Sequence, residues 1–290
     1  MSDWLDVGSK APAFTLVSDN DNRYMNSPIQ LAIHGASGRN GKRLIALGSI
    51  DPAIVIAAAI VRSTSIHIGE DSGSLAGIPK NGVSVSSSWP ASIDVAIDFS
   101  SPDGCMSAIE HCITKQIPIV IATTGLTPKQ ISAIAGAAKL IPVCYAPNMS
   151  LAVNLTMKLV EETSRALKNV PGGADVEIIE RHHRFKEDSP SGTALKFGQI
   201  AATEMGIGQH VHGRVGQVGQ RPHGEIGYHA VRAGDDAGQH TIIFAMMGET
   251  IELRVAASNR DCYASGAIAA AKFLINKPPK QYSMLDVLGL

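Results

Sequence analysis

Cysteine is scarce in this chain. There are four in 290 residues, and no two form a Cys-x-x-Cys pair. That excludes a disulfide scaffold and the common zinc and dithiol motifs, and it suits reduced thiols in a cytoplasmic protein. Neither sign of charge is in excess: 25 Lys+Arg stand against 26 Asp+Glu, for a formal net charge of -1. Global electrostatics therefore give no reason to expect nucleic acid or an anionic membrane as partner. Long apolar runs are also missing. No stretch approaches the roughly 18 residues of a spanning helix, and the start, Met1-Ser2-Asp3-Trp4, lacks the basic and apolar segments of a secretory signal. What is present is a hydrophobic fraction of 44%, enough for full cores, in a length that suggests about two domains.

Residues 1–28 differ from the rest: they are polar, rich in Asp, Asn and Ser, and contain Pro12 and Pro28. Val7 to Leu16 resembles the opening strand of a thioredoxin-like peroxidase, but no peroxidatic cysteine follows. The segment reads as an extension without chemistry of its own. From Ile29 the pattern is regular. Ile29–Ile33, Ala53–Ile60, Ile93–Phe99, Ile117–Ala122 and Pro142–Tyr145 are short apolar runs, as strands covered on both faces should be. Asn40–Leu47, Pro102–Lys115 and Pro128–Lys139 read as helices between them, two with proline in the first turn. This alternation predicts an α/β domain with a Rossmann-like, doubly wound parallel sheet. Beyond Pro147-Asn148 the order changes. Leu151–Leu167 and Gly192–Met205 read as helices, Val176–Glu180 as a strand, and Glu225–Ala233, His240–Met247 and Thr250–Ala257 as three strands with little between them. That order predicts a second, α+β domain with an open mixed sheet, a face that oligomers commonly bury. Ala264–Ile275 is a last apolar helix.

The first strand runs into His34-Gly35-Ala36-Ser37-Gly38-Arg39-Asn40-Gly41. The spacing G-x-x-G-x-x-G between a strand and a helix is a variant of the dinucleotide fingerprint. Gly35 permits the turn, Gly38 lets backbone approach a pyrophosphate, and Gly41 lets helix and strand pack closely. The second strand ends in Val61-Arg62-Ser63-Thr64, with no acid to bind a ribose 2′-hydroxyl. A guanidinium among hydroxyls suits a 2′-phosphate, so NADPH is expected to bind at least as well as NADH. The alternative is a solvated Arg62. Two further loops, Ala122-Thr123-Thr124-Gly125 and Ala146-Pro147-Asn148-Met149, follow later strands and complete the candidate cofactor cradle.

The densest chemistry lies in Glu180-Arg181-His182-His183-Arg184-Phe185-Lys186-Glu187-Asp188-Ser189-Pro190-Ser191-Gly192-Thr193. Histidine and lysine can move protons, and the N–H groups at the Ser191-Gly192-Thr193 helix start suit a carboxylate. Adjacent histidines on a strand would face opposite sides, but the strand is expected to end at Glu180, so both can reach a ligand. A metal site needs three or four converging ligands, and paired histidines beside arginines make a poor one; none is expected. Arg181 and Arg184 are expected to raise the positive potential around Lys186.

The run Glu-x-His-His-Arg-x-Lys-x-Asp-x-Pro-Ser-Gly-Thr-Ala at 180–194 closely resembles the signature of the dihydrodipicolinate reductase family. Gly35–Gly41, Ala122–Gly125, Ala146–Asn148, Val231–Asp235, Ala257–Arg260 and Met284–Leu288 match that family too. The resemblance implies an NAD(P)H-dependent oxidoreductase of the diaminopimelate and lysine pathway. It would reduce 4-hydroxy-tetrahydrodipicolinate, a small dicarboxylate cyclic imine, to tetrahydrodipicolinate, with hydride to ring C4 and a proton to C3. It implies His182 and Lys186 as the acid/base pair, and His183, Gly192 and Thr193, with Ser191, as substrate contacts. It also implies a homotetramer joined through the second sheet, and a last segment folded back on the nucleotide domain. The expected division is 29–150 with 260–290 for the dinucleotide-binding domain and 151–259 for substrate binding and oligomerisation. Asn40 stands where the family often has methionine, and Val61 where many members carry glutamate; residues 1–28 have no counterpart. Two rivals are another nicotinamide enzyme of amino-acid metabolism, such as a homoserine-type dehydrogenase, and a non-catalytic nucleotide sensor.

Overall fold

The computed structural model describes residues 27–290, so the features read in residues 1–26 lie outside the described residues. The first half alternates strand and helix: β1 (Ile29–His34), α1 (Arg39–Ile50), β2 (Ile54–Ile60), α2 (Ser72–Ala76), β3 (Val85–Ser86), β4 (Val95–Asp98), α3 (Pro102–Lys115), β5 (Ile119–Ile121), α4 (Pro128–Ala137) and β6 (Pro142–Tyr145). Proline opens α3 and α4, and Ser101 and Thr127 cap them by accepting hydrogen bonds from Gly104 and Gln130 backbone N–H groups. A long helix, α5 (Leu151–Leu167), then crosses to a second lobe of β7 (Asp175–His182), α6 (Gly192–Met205), β8 (Gln209–His212), β9 (Glu225–Arg232), β10 (Gln239–Met246) and β11 (Glu249–Ala256). The chain returns through α7 (Asp261–Leu274), β12 (Lys280–Tyr282) and α8 (Met284–Leu288).

The first sheet is parallel throughout, with the order β12-β6-β5-β4-β1-β2-β3. One of its faces packs on α1 and α7 through Leu44, Ile45, Ala267 and Leu274; the other packs on α3 and α4 through Ile109, Cys112 and Ile134. Burial on both faces explains the unbroken Val, Ile and Ala runs. The second sheet, β11-β10-β7-β9-β8, is mixed: β10 is antiparallel to both β7 and β11, while β7, β9 and β8 run parallel. α5 and α6 cover one face through Val153, Val160, Phe197 and Ala201. The other face carries no helix among the described residues, and Ile179 and Val231 on it are 40% and 42% exposed. No described helix is long and apolar enough to cross a membrane.

β7 extends past the expected end at Glu180, through His182. Its last residues are polar, so hydrophobicity stops before the ladder does. Arg181 and His182 still pair with Val231 and Arg232 of β9.

Candidate active site

Sequence order brings the two lobes together along one cleft of about 1180 Å³. The nucleotide loop forms one wall. Gly35 has φ +83°, and a Cβ there would lie 2.4 Å from Phe99 O, so the turn accepts no side chain. A Cβ on Gly41 would lie 2.3 Å from Gly35 O, so α1 sits against the turn only because Gly41 lacks one. Gly38 caps α1 with no side-chain hydrogen bond, and Gly38, Arg39 and Asn40 line the cleft. Such a helix start leaves N–H groups for an anion. The cradle and the donors fit the pyrophosphate of a dinucleotide.

Beneath the loop, Asp98 ends β4 fully buried. Its Oδ1 lies 2.6 Å from His34 Nδ1 and accepts from Ser100 Oγ at 2.6 Å, and its Oδ2 accepts from Thr123 Oγ1 at 2.6 Å. Thr123 thus spends its hydroxyl on the scaffold. Of the other residues read as cofactor contacts, Thr124, Ala146, Pro147 and Asn148 line the cleft, whereas Gly35, Ala36, Ser37, Ala122 and Met149 stand outside its lining. Arg62 is exposed just beyond β2, makes no ion pair among the described residues and stands outside the cleft lining.

The second lobe supplies the opposite wall. His182, His183, Lys186, Ser191, Gly192 and Thr193 all line the cleft. His182 is the last residue of β7 and points to the α6 side with Glu180, whose Oε2 is 2.6 Å from His182 Nδ1. His183, one residue past the strand, reaches the same space and keeps a buried Nδ1 without a partner. Lys186 pairs with Asp188 at 2.7 Å. Ser191 caps α6: its hydroxyl accepts from Ala194 N and meets His240 Nε2 at 3.1 Å. That hydroxyl is therefore committed to structure, and Gly192 and Thr193 are left to offer backbone N–H groups. Burial pushes the His240 imidazole down to about 4, and the nearby His182 and Lys186 add to that while Glu180 opposes it. Asn148 of the first lobe donates to Thr193 Oγ1 of the second at 3.3 Å, directly across the cleft.

The expected roles of Arg181 and Arg184 are not supported. Arg181 alternates to the open sheet face, where its Nε donates to Asp236 Oδ2 at 2.5 Å, and Arg184 is exposed; neither lines the cleft. Conversely, Arg260 and Tyr263, at the return of the chain to the first lobe, line the cleft without having been marked as site residues. Their signal was faint: Arg260 stood in a matched stretch, but nothing local tied it to the histidine run. Among the described residues no cluster of three or more His, Cys, Asp or Glu could hold a metal ion.

Comparison with known proteins gives concordant findings. The family descriptions "Dihydrodipicolinate reductase, N-terminus" and "Dihydrodipicolinate reductase, C-terminus" match residues 29–149 and 152–288. A 4-hydroxy-tetrahydrodipicolinate reductase of Rhodopirellula baltica is 55% identical over 271 residues, which is 91% of this chain and 97% of that one. Another, of Pseudoalteromonas atlantica, is 43% identical over 90% of this chain and 99% of its own. A solved dipicolinate-bound dihydrodipicolinate reductase from Paenisporosarcina sp. TG-14 shares the fold with a TM-score of 0.71 at 24% identity, covering 89% of this chain and 98% of that one.

Proposed function

This chain belongs to the dihydrodipicolinate reductase family, and we propose that its cleft reduces 4-hydroxy-tetrahydrodipicolinate to tetrahydrodipicolinate in diaminopimelate and lysine biosynthesis. The observation that carries this reading is the meeting of two unlike walls in one cavity. The α1 start suits a dinucleotide, and the His182–Thr193 segment suits a dicarboxylate with a place for a proton. The 4-hydroxyl leaves with a C3 proton as water, which gives a C3=C4 double bond conjugated to the imine, and a bound nicotinamide cofactor would supply the hydride that C4 accepts. The chain's own residues do the rest. Gly192 and Thr193 N–H groups hold one substrate carboxylate at the start of α6, where the helix dipole favours negative charge. His183 Nδ1, buried and unpartnered, turns to the ligand and exchanges its orphan state for a hydrogen bond. Lys186 Nζ, or His182 Nε2 once it has taken up a proton, delivers the proton to ring C3, and Asp188 keeps Lys186 oriented at the cleft edge. Closure of the lobes about Asn148–Ser150 and Arg260 excludes water while this happens.

Arg62 at the end of β2, with no acidic residue beside it, supports NADPH binding at least as well as NADH. The apolar residues on the uncovered face of the second sheet support a homotetramer built through that face, and the free thiols, three of the four buried, support a cytoplasmic enzyme. Residues 29–150 with 260–290 would bind the cofactor, and 151–259 the substrate. The test is a coupled assay with freshly generated substrate, in which NADPH and NADH consumption are followed separately. Turnover with both, and NADPH bound no more weakly, is expected. Binding of NADPH without turnover would leave only a nucleotide sensor.

A further inference from the structure

Residues two apart on a strand share a face. On β7 this pairs Glu180 with His182 on the side turned toward α6, and Glu180 is only 1% exposed. A carboxylate in such a place is costly unless its oxygens are hydrogen-bonded. Here both are used twice. Oε1 accepts from Arg232 Nη2 at 2.7 Å and from Ser191 N at 3.0 Å. Oε2 accepts from Arg232 Nη1 at 2.8 Å and lies 2.6 Å from His182 Nδ1. Burial alone would push the Glu180 carboxyl up; the hydrogen bonds from Arg232 and His182 outweigh it and hold the group below its ordinary value.

An ionised carboxylate only accepts, so His182 Nδ1 bears the hydrogen and the neutral ring carries its lone pair on Nε2. That nitrogen has no hydrogen-bond partner among the described residues. Gly238 makes room for it: a Cβ there would lie 2.9 Å from Nε2. The second Glu180 oxygen, through Ser191 N, holds the residue that caps α6, so one side chain spans both the acid/base and the carboxylate subsites.

We propose that Glu180, clamped by Arg232, is a positioning residue that fixes the Nε2-basic tautomer of His182 and ties that ring to the anion-binding start of α6. The proposal rests on the reductase reading of the cleft, but its geometry can be tested apart from activity. Charged and titratable groups near the His182 ring are Glu180 on its own strand, Lys186 in the following loop, Arg232 from β9, Asp236 from the β9–β10 loop and His240 from β10.

Glu180→Gln keeps the size and the acceptor for Arg232 Nη2 and Ser191 N, but it turns an amide NH2 toward His182 Nδ1 and Arg232 Nη1 and so favours the opposite tautomer. The expected result is a kcat at least about tenfold lower, with an NADPH KM unchanged within about twofold and an altered pH profile of kcat. In parallel, 15N NMR of histidine-labelled wild-type protein, with His182 assigned by the loss of its signal in His182→Gln, should show Nδ1–H at a pH where the ring is neutral. Glu180→Gln should show Nε2–H. A wild-type ring protonated on Nε2 overturns the proposal, as does a Glu180→Gln protein with wild-type kcat and tautomer. Should Glu180→Gln fail to fold, the wild-type tautomer alone decides. A wild-type protein without turnover would overturn the reductase reading, and the same NMR measurement would still judge Glu180.

Discussion

Lys186 and His183 lie in one loop and face one cleft, yet the geometry gives them different work. Lys186 has a carboxylate partner, Asp188, that keeps its ammonium oriented at the cavity edge. Positioned proton transfer contributes roughly 10² to 10⁴ in rate, so Lys186→Ala is expected to lower kcat at least about tenfold while NADPH affinity, measured by fluorescence titration, changes little. His183 lines the cleft and has a buried nitrogen without a partner, so His183→Ala is expected to raise the substrate KM more than it lowers kcat. The residue types of this run were enough to mark a candidate anion and acid/base site before any coordinates, and His182, His183, Lys186, Ser191, Gly192 and Thr193 share one cleft. What they could not assign was sidedness. Arg181 differs from His182 by one strand position and therefore faces Asp236 on the other side of the sheet. The Thr123 and Ser191 hydroxyls looked available but serve Asp98 and the α6 cap, because buried backbone and carboxylate groups claim the nearest donors and acceptors first.

α3, α5, α6 and β6 were legible from end to end, whereas α4 stops two residues before its expected end and α1 and α7 begin before their expected starts. α3 and α4 begin at prolines, α5 and α6 at serine caps, and β6 starts and stops where its apolar run does. The pieces that escaped were short and polar. α2 has five residues and is held by Asp71 and Asn81, which accept from Ser74 N and Gly73 N, and not by an apolar stripe. β8 is a polar edge strand, and β3 and β12 owe their pairing to the strands beside them. Long-range packing was equally silent in the sequence. Gly266 of α7 lies so close to the 146–149 loop that a Cβ would fall 1.8 Å from Met149 O. Backbone cannot yield as a flexible side chain can, so Gly266→Ala is expected to cost about 1 to 3 kcal/mol of stability. Because the same loop carries Asn148 and Ala146 into the cleft, cofactor affinity should fall with it. Denaturant unfolding and NADPH titration of the purified variant check both effects.

At the scale of the whole molecule, a buried imidazole and a half-buried carboxylate make stability depend on acidity in the same direction. His240, only 5% exposed between β7 and α6, has its pKa pushed from 6.5 down to about 4, chiefly by burial. The unfolded chain therefore binds the proton first, and stability falls as pH drops from 6.5 toward 4. Glu177, beneath the loop that carries Arg214 and Arg221, behaves as the complementary case. Burial would raise its carboxyl, but hydrogen bonds from Arg214, Arg221 and His229 win and hold it at about 2. Its stabilisation is complete above the ordinary value of 4.5 and is lost as pH falls through that value toward 2. The two windows adjoin, so Tm should decline continuously from near neutrality into acid, with the His240 imidazole responsible for the upper part. A variant that keeps a neutral polar group at this place, His240→Gln, should flatten the Tm curve between about pH 6.5 and pH 4 and leave the steeper loss below it. Glu177→Gln should do the reverse, lowering Tm at neutral pH and reducing the slope below about pH 4.5, where Glu180 still contributes. Scanning calorimetry across the range separates the two, and a His240→Gln protein that still loses Tm as steeply between those upper limits would show that protonation elsewhere governs the acid response.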